Sequence, residues 1–240
     1  MISPKQKLVI SLAAVLAVLL YFAPKNFSEA KQKAEENASV TASFEELLKT
    51  VPAEQKEIFD RLQKGLIQAQ SDNKEGSWEA SAADFLKSAR YVQGEPKAAL
   101  YKGAISGFEK VLELNPGNLS AKTNLGTAIV ESSSMLGNQP MKGITLLREV
   151  IQKDSNNIEA NLQLGLFSVT SQQFDKAIER FNRILRIDPT HIDMYVYLGD
   201  TYLTMGNKAK AIENYENYKT RVNDTLIIKD IDEYIKKLKT

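Results

Sequence analysis

The chain has 240 residues, with 31 Lys plus Arg against 30 Asp plus Glu, one His and no Cys. Without Cys there is no disulfide framework, no zinc-thiolate or iron–sulfur site and no thiol nucleophile, and a net charge of +1 supplies no global attraction toward nucleic-acid phosphates. The hydrophobic 43% is unevenly spread: between Lys7 and Lys25 every residue except Ser11 and Pro24 is hydrophobic and none is charged, whereas the chain beyond Lys25 carries acidic and basic side chains in near balance.

Residues 1–7 form a short tail ahead of that apolar run. As a helix, residues 8–24 would extend about 26 Å against a hydrocarbon core of roughly 30 Å, so the segment predicts a single transmembrane anchor, with Lys5, Lys7 and Lys25 able to snorkel. A cleavable signal peptide is the alternative: Tyr21 is too large for a small-residue cleavage site at Ala23, and Ser28-Glu29-Ala30 fits in type but lies well beyond the run. The lysines flanking the segment are nearly balanced, and the short amino-terminal tail together with Glu29, Glu35 and Glu36 favours a domain on the periplasmic side of the inner membrane. Residues 25–42 read as a polar linker.

From residue 43 onward apolar positions recur at three and four, which predicts helices. Ser43 with Glu46 reads as a capping box, and Pro52 as the first residue of the next helix. In that helix Ile58, Phe59, Leu62, Leu66 and Ile67 share a face. Trp78, Phe85, Leu86, Ala89 and Val92 do the same in the following one, which Gly94 and Pro96 punctuate. Residues 43–116 are thus expected to form helical hairpins, including an imperfect repeat with a turn enlarged by Gly94 to Lys102.

The second half repeats itself. The pair Leu125-Gly126 recurs as Leu164-Gly165 and again as Leu198-Gly199. Ala177, Phe181 and Pro189 are spaced like Ala104, Phe108 and Pro116, and Ala211 and Tyr215 follow Ala177 and Phe181 at the interval that separates Leu164 from Leu198. This pattern resembles the tetratricopeptide repeat, a helix–turn–helix unit of about 34 residues. The glycines and alanines allow the two helices of a unit to approach, the aromatics fill the gap between units, and each proline ends a second helix. Departures are Gly143 for the small Ala, Ser155 for the terminal Pro, Ser168 and Gln172 for the usual Tyr and Gly, and an insertion of five near Asn138 that is expected to lengthen one turn into a contact surface. Repeats are placed at 117–223. Residues 224–240 follow as a capping helix, with Ile227, Ile228, Ile231, Tyr234, Ile235 and Leu238 on the stripe that covers the last unit. The expected fold is therefore all-α: a tetratricopeptide-like superhelix of antiparallel hairpins with one amino-terminal transmembrane helix and a carboxy-terminal capping helix.

No catalytic constellation is readable. His191 falls at an inter-repeat turn, where a capping or turn role outweighs general-base chemistry. The glycines form no phosphate-binding loop, and Arg180, Arg183 and Arg186 read as a solvated outer face. A non-enzymatic protein without cofactor or metal is expected, and nucleic acid is not expected as a partner. The resemblance implies a groove lined by the first helix of each unit, at Thr123, Thr127 and Val130, then Leu162, Leu166 and Val169, then Val196, Asp200 and Leu203. The Lys and Asn with which some family members clamp a terminal carboxylate are absent from these positions, so the lining suits a segment with apolar anchors and one basic group. The expected function is a membrane-anchored interaction module, a scaffold or chaperone-like adaptor that holds a partner polypeptide at the membrane. The alternative is a structural subunit of a larger membrane complex, of the translocon-associated or cytochrome c assembly type.

Overall fold

The structure, a computed structural model, describes residue 44 and residues 51–239 apart from 95 and 138. Among these residues there are ten α-helices and no strand. They are α1 (Lys56–Asp72), α2 (Glu75–Tyr91), α3 (Pro96–Leu114), α4 (Leu119–Leu136), α5 (Pro140–Lys153), α6 (Ile158–Thr170), α7 (Phe174–Ile187), α8 (Asp193–Thr204), α9 (Lys208–Lys219) and α10 (Thr225–Lys239). The proposed anchor at 8–24, the linker at 25–42 and the Ser43–Glu46 capping box lie outside the described residues, apart from Phe44. No described helix is long and apolar enough to cross a membrane.

Each helix packs chiefly on its neighbours in sequence, with additional contact between α2 and α4 and between α4 and α6. This is the signature of a stacked array, whose core is divided along the chain. One apolar cluster runs from Phe44 through Phe59, Phe85 and Phe108 to Ile129. A second is centred on Ile144, Leu147 and Leu164, a third on Phe181, Met194 and Leu198, and a fourth on Ala211, Tyr215 and Ile235.

The turns between units are built from short polar side chains that satisfy backbone groups a helix end would otherwise leave unpaired. Asn115, Asp154 and Asp188 occupy equivalent positions and accept from the backbone N–H groups of Gly117, Asn156 and Thr190 respectively. Asn118 and Asn157 then cap α4 and α6 by accepting from the N–H of Ala121 and Ala160. Ser155 can stand where other units have Pro because the turn is held by side chains: its carbonyl accepts from Asn161 Nδ2 at 3.0 Å and from Arg183.

Several expectations change. The insertion near Asn138 extends α4 to 18 residues, against 13 residues in α6, and the turn that follows is no longer than that after α6. The Ser132–Leu136 stretch continues the helix, with Leu136 packed on the first cluster and the Ser133 hydroxyl donating to the Val130 carbonyl. Likewise Pro96 to Lys102 belong to α3 and not to an enlarged turn, since Pro suits the start of a helix and Leu100 and Tyr101 are buried. Pro52 precedes a short 3-10 turn, Ala53–Gln55, and α1 starts only at Lys56. Ile67 points outward at 56% exposure, and the buried positions of α1 are Phe59, Leu62 and Ala69. In α10 the apolar stripe divides: Ile235 is buried and Ile231 and Leu238 pack beside it, while Ile227 and Tyr234 remain exposed.

Candidate functional site

The first helices of the units, α2, α4, α6 and α8, present a row of polar side chains to one another. Arg90 at the end of α2 donates through Nε and Nη2 to both carboxylate oxygens of Glu131 on α4, at 3.2 and 2.9 Å, and through Nη2 to Glu159 on α6 at 3.2 Å. Gln163 donates to Glu131 and Glu159, Tyr101 to Glu131, and Thr127 to Glu159. Burial acts to lower the pKa of Arg90, but the hydrogen bond and charge of Glu131 and the charge of Glu159 outweigh it and raise the pKa. Burial, with the adjacent Glu131 charge, pushes the Tyr101 phenol up to about 12. The network closes the inner face over the first clear unit, which is why Thr127 has no exposed surface.

Further along, the character changes. Tyr197 on α8 stacks on Phe181 with ring centres 5.4 Å apart, and its pKa is raised by burial and by Asp193, Asp200 and Glu159. Asp200 is exposed and accepts a 2.6 Å hydrogen bond from the Tyr215 hydroxyl. Tyr215 in turn meets Tyr234 of α10 edge-on at 5.3 Å. Burial, together with the bond to Asp200, raises the Tyr215 pKa.

The nine groove positions read from the sequence distribute as follows. Thr123 is buried and donates to the Leu119 carbonyl at 2.8 Å, Thr127 is buried under Glu159, and Val130 is half-buried against the Ile144–Leu147 cluster. Leu162, Leu166 and Val169 pack partly buried against the Phe181 cluster, and Val196 and Leu203 against Tyr215 and Ile235. Of the nine, Asp200 is the exposed one.

The sequence reading passed over Arg90, Tyr101, Glu131, Glu159, Gln163 and Asp193, and it assigned Ile227 and Tyr234 to the stripe that covers the last unit. A usable signal existed in the repeat register. Glu159 and Asp193 are equivalent, as are Leu166 and Asp200, and Ile227 and Tyr234 follow them at the same interval.

His191 is exposed at its turn, 3.5 Å from Asp188. Arg180 and Arg183 are not free in solvent: Arg180 donates to Asn161 and Arg183 to the Ser155 carbonyl, so both brace the preceding turn. Among the described residues no group of three or more acidic or His side chains is placed to hold a metal ion.

The tetratricopeptide-repeat family model matches residues 158–191 and 192–219, so the chain carries tetratricopeptide repeats in its second half. Solved structures with the same all-helical arrangement include one described as YrrB, a tetratricopeptide protein with an unusual peptide-binding site (22% identity, 86% of this chain and 97% of that one, TM-score 0.53). Another is MamA from residue 41 to its end from Desulfovibrio magneticus RS-1 (16% identity, 76% and 94% covered, TM-score 0.55). MamA AMB-1 is similar at 18% identity, with 70% and 86% covered and a TM-score of 0.50. At these identities the likeness is one of fold. No curated protein matches the chain.

Proposed function

We propose that this protein is an interaction module that binds a polypeptide segment on the inner face of its repeat array, and that residues 8–24 tether it to the inner membrane with the array on the periplasmic side. The observation that carries the binding reading is the set of acidic and aromatic side chains that α8 adds beyond the Arg90 network, with Asp193 and Asp200 exposed beside Tyr197. Arrays of this kind offer extended surfaces whose work is contact. The peptide-binding site described for the similar YrrB supports the same reading. The tether rests on the uncharged run between Lys7 and Lys25. Confinement to a surface would add to the module's action, because it raises the effective concentration of a weak binder without a new contact.

Two measurements test this. Photocrosslinking from positions 193 and 200 in intact cells is expected to capture a discrete protein partner, and labelling no stronger than from position 175 on α7 would count against the inner face. A reporter fused after Thr240 is expected to be active outside the cytosol, and the full chain is expected to resist alkaline extraction from membranes. Activity confined to the cytosol, or release from the membrane, would overturn the tether and its orientation.

A further inference from the structure

We infer that the binding surface is confined to the carboxy-terminal half of the inner face, where α8 and α10 form one patch, and that it selects polypeptide segments carrying Lys or Arg between apolar anchors. This rests on the proposed interaction function and specifies its site and the chemistry of its partner.

The first half of the inner face is occupied by its own side chains. Arg90 is bidentate to Glu131 and also bonded to Glu159, Gln163 bridges the two carboxylates, and Thr127 beneath them is fully buried. A ligand there would have to break charge-assisted hydrogen bonds that are already made. Beyond Glu159 the described residues form no such closure. Asp193 and Asp230 are exposed and have no ion-pair partner among the described residues, and Asp200 has only the neutral Tyr215 hydroxyl.

The capping helix completes the patch. Ile227 and Tyr234 follow Asp193 and Asp200 at the interval that separates Leu164 from Leu198 and share one stripe of α10. Both keep exposed surface, at 38% and 41%. Tyr234 is held against Tyr215, the residue bonded to Asp200, which places apolar and acidic groups side by side. Along α8 and the stripe of α10 that carries Ile227 and Tyr234, the acidic Asp193, Asp200 and Asp230 stand with one lysine, Lys237. A terminal helix that only covered the core would show solvent a polar face, as capping units do. An apolar ridge between carboxylates without a basic partner is complementary to a segment that pairs large apolar side chains with basic ones, and the charges select against acidic partners.

The test is selection of a random-peptide display library on the full-length protein in mild detergent, followed by fluorescence anisotropy with the dominant peptide synthesised. Enrichment of Lys or Arg together with Leu, Ile or aromatic residues is expected. The peptide should lose affinity at high salt, and a version with each basic residue changed to Glu should bind at least about tenfold more weakly. The double variant Asp193→Lys with Asp200→Lys should also lose about tenfold or more, while Asp175→Lys on α7 should bind as wild type. Ile227→Ser, which removes an exposed apolar side chain that belongs to no core cluster, should weaken binding with unchanged helicity. Enrichment of neutral or acidic peptides, or full binding by the folded double variant, would overturn the charge assignment and leave the interaction function standing. No enrichment above the naive library would overturn both. Self-association of the free protein that the double variant abolishes would make the occupant a second copy and overturn the assignment.

Discussion

Replacing Gly143 by the alanine usual at its position should destabilise this protein, although Ala is the better helix former. A Cβ at Gly143 would sit 2.5 Å from the Gly126 carbonyl oxygen, 2.9 Å from Val130 Cγ2 and 3.2 Å from Ile129 Cβ. The first of these is backbone and cannot rotate away. The cause of the close approach is Leu147, which stands where the other units have Phe181 and Tyr215. With less bulk there, α4 and α5 come together until the backbones touch. Helix propensity alone would favour Ala by up to about 1 kcal/mol. Forcing an extra methyl into such a contact costs roughly 1–3 kcal/mol, occasionally more, and a backbone contact belongs at the upper end. If the helices part by about 0.5–1 Å, Ile129, Ile144, Leu147 and Val150 also lose a quarter to a half of their dispersion contacts across the interface. The net expectation is a loss of about 2 kcal/mol, or roughly 4–8 °C in melting temperature for a chain of this size. Thermal unfolding by far-ultraviolet circular dichroism measures the shift, and hydrogen exchange should localise it to α4 and α5, because repeat arrays loosen unit by unit. Gly65→Ala in the middle of α1 is the control: its Cβ would meet Ser81 Oγ at 3.8 Å, an ordinary contact, so the protein should gain about 0.5–1 kcal/mol. An unchanged or higher melting temperature for Gly143→Ala would refute the argument that backbone contact fixes this crossing.

Three other outcomes are expected. Gln172 adopts a left-handed conformation, φ 59, at the turn where the next unit has Gly206 at φ 77, so Gln172→Gly should stabilise by about 1 kcal/mol in urea titration, and a loss of stability would show that the side chain is needed there. Phe181 is fully buried, stacks on Tyr197 and carries the third cluster, so Phe181→Ala should cost about 3–5 kcal/mol in the same titration, whereas a cost near that of a surface change would contradict its central place. Because the folded pKa of Tyr101 is raised to about 12 by burial and Glu131, its stabilising contribution is complete below the ordinary tyrosine pKa near 10 and is lost as pH rises through about 12. Tyr101→Phe should therefore flatten the fall of melting temperature across that alkaline range, and an unchanged slope would remove Tyr101 as its source.

The helical class and the repeat were legible because they are written locally. Apolar residues recur at the helical period, and Leu-Gly pairs with Ala and aromatic partners return at a near-constant interval from unit to unit. Capping asparagines such as Asn118 and Asn157 mark helix starts in the same local way. The tertiary structure decided which side chains are available for contact. Periodicity places Leu162, Leu166 and Val196 on the inner helices, but only the superposition of neighbouring units shows that they are half-buried between units while Asp200 remains exposed. It brings Arg90 to Glu131 and Glu159, which lie one and two units further along the chain, closing half of the inner face. It also turns Ile227 and Tyr234 outward from a stripe that looked uniformly buried. The physical reason is the range of the information. A helix is specified by residues three and four apart, whereas exposure and ion pairing depend on how far each unit is rotated and translated against the next. That packing is set by a few volumes, such as Leu147 against Phe181, whose effect appears only when the helices are in contact.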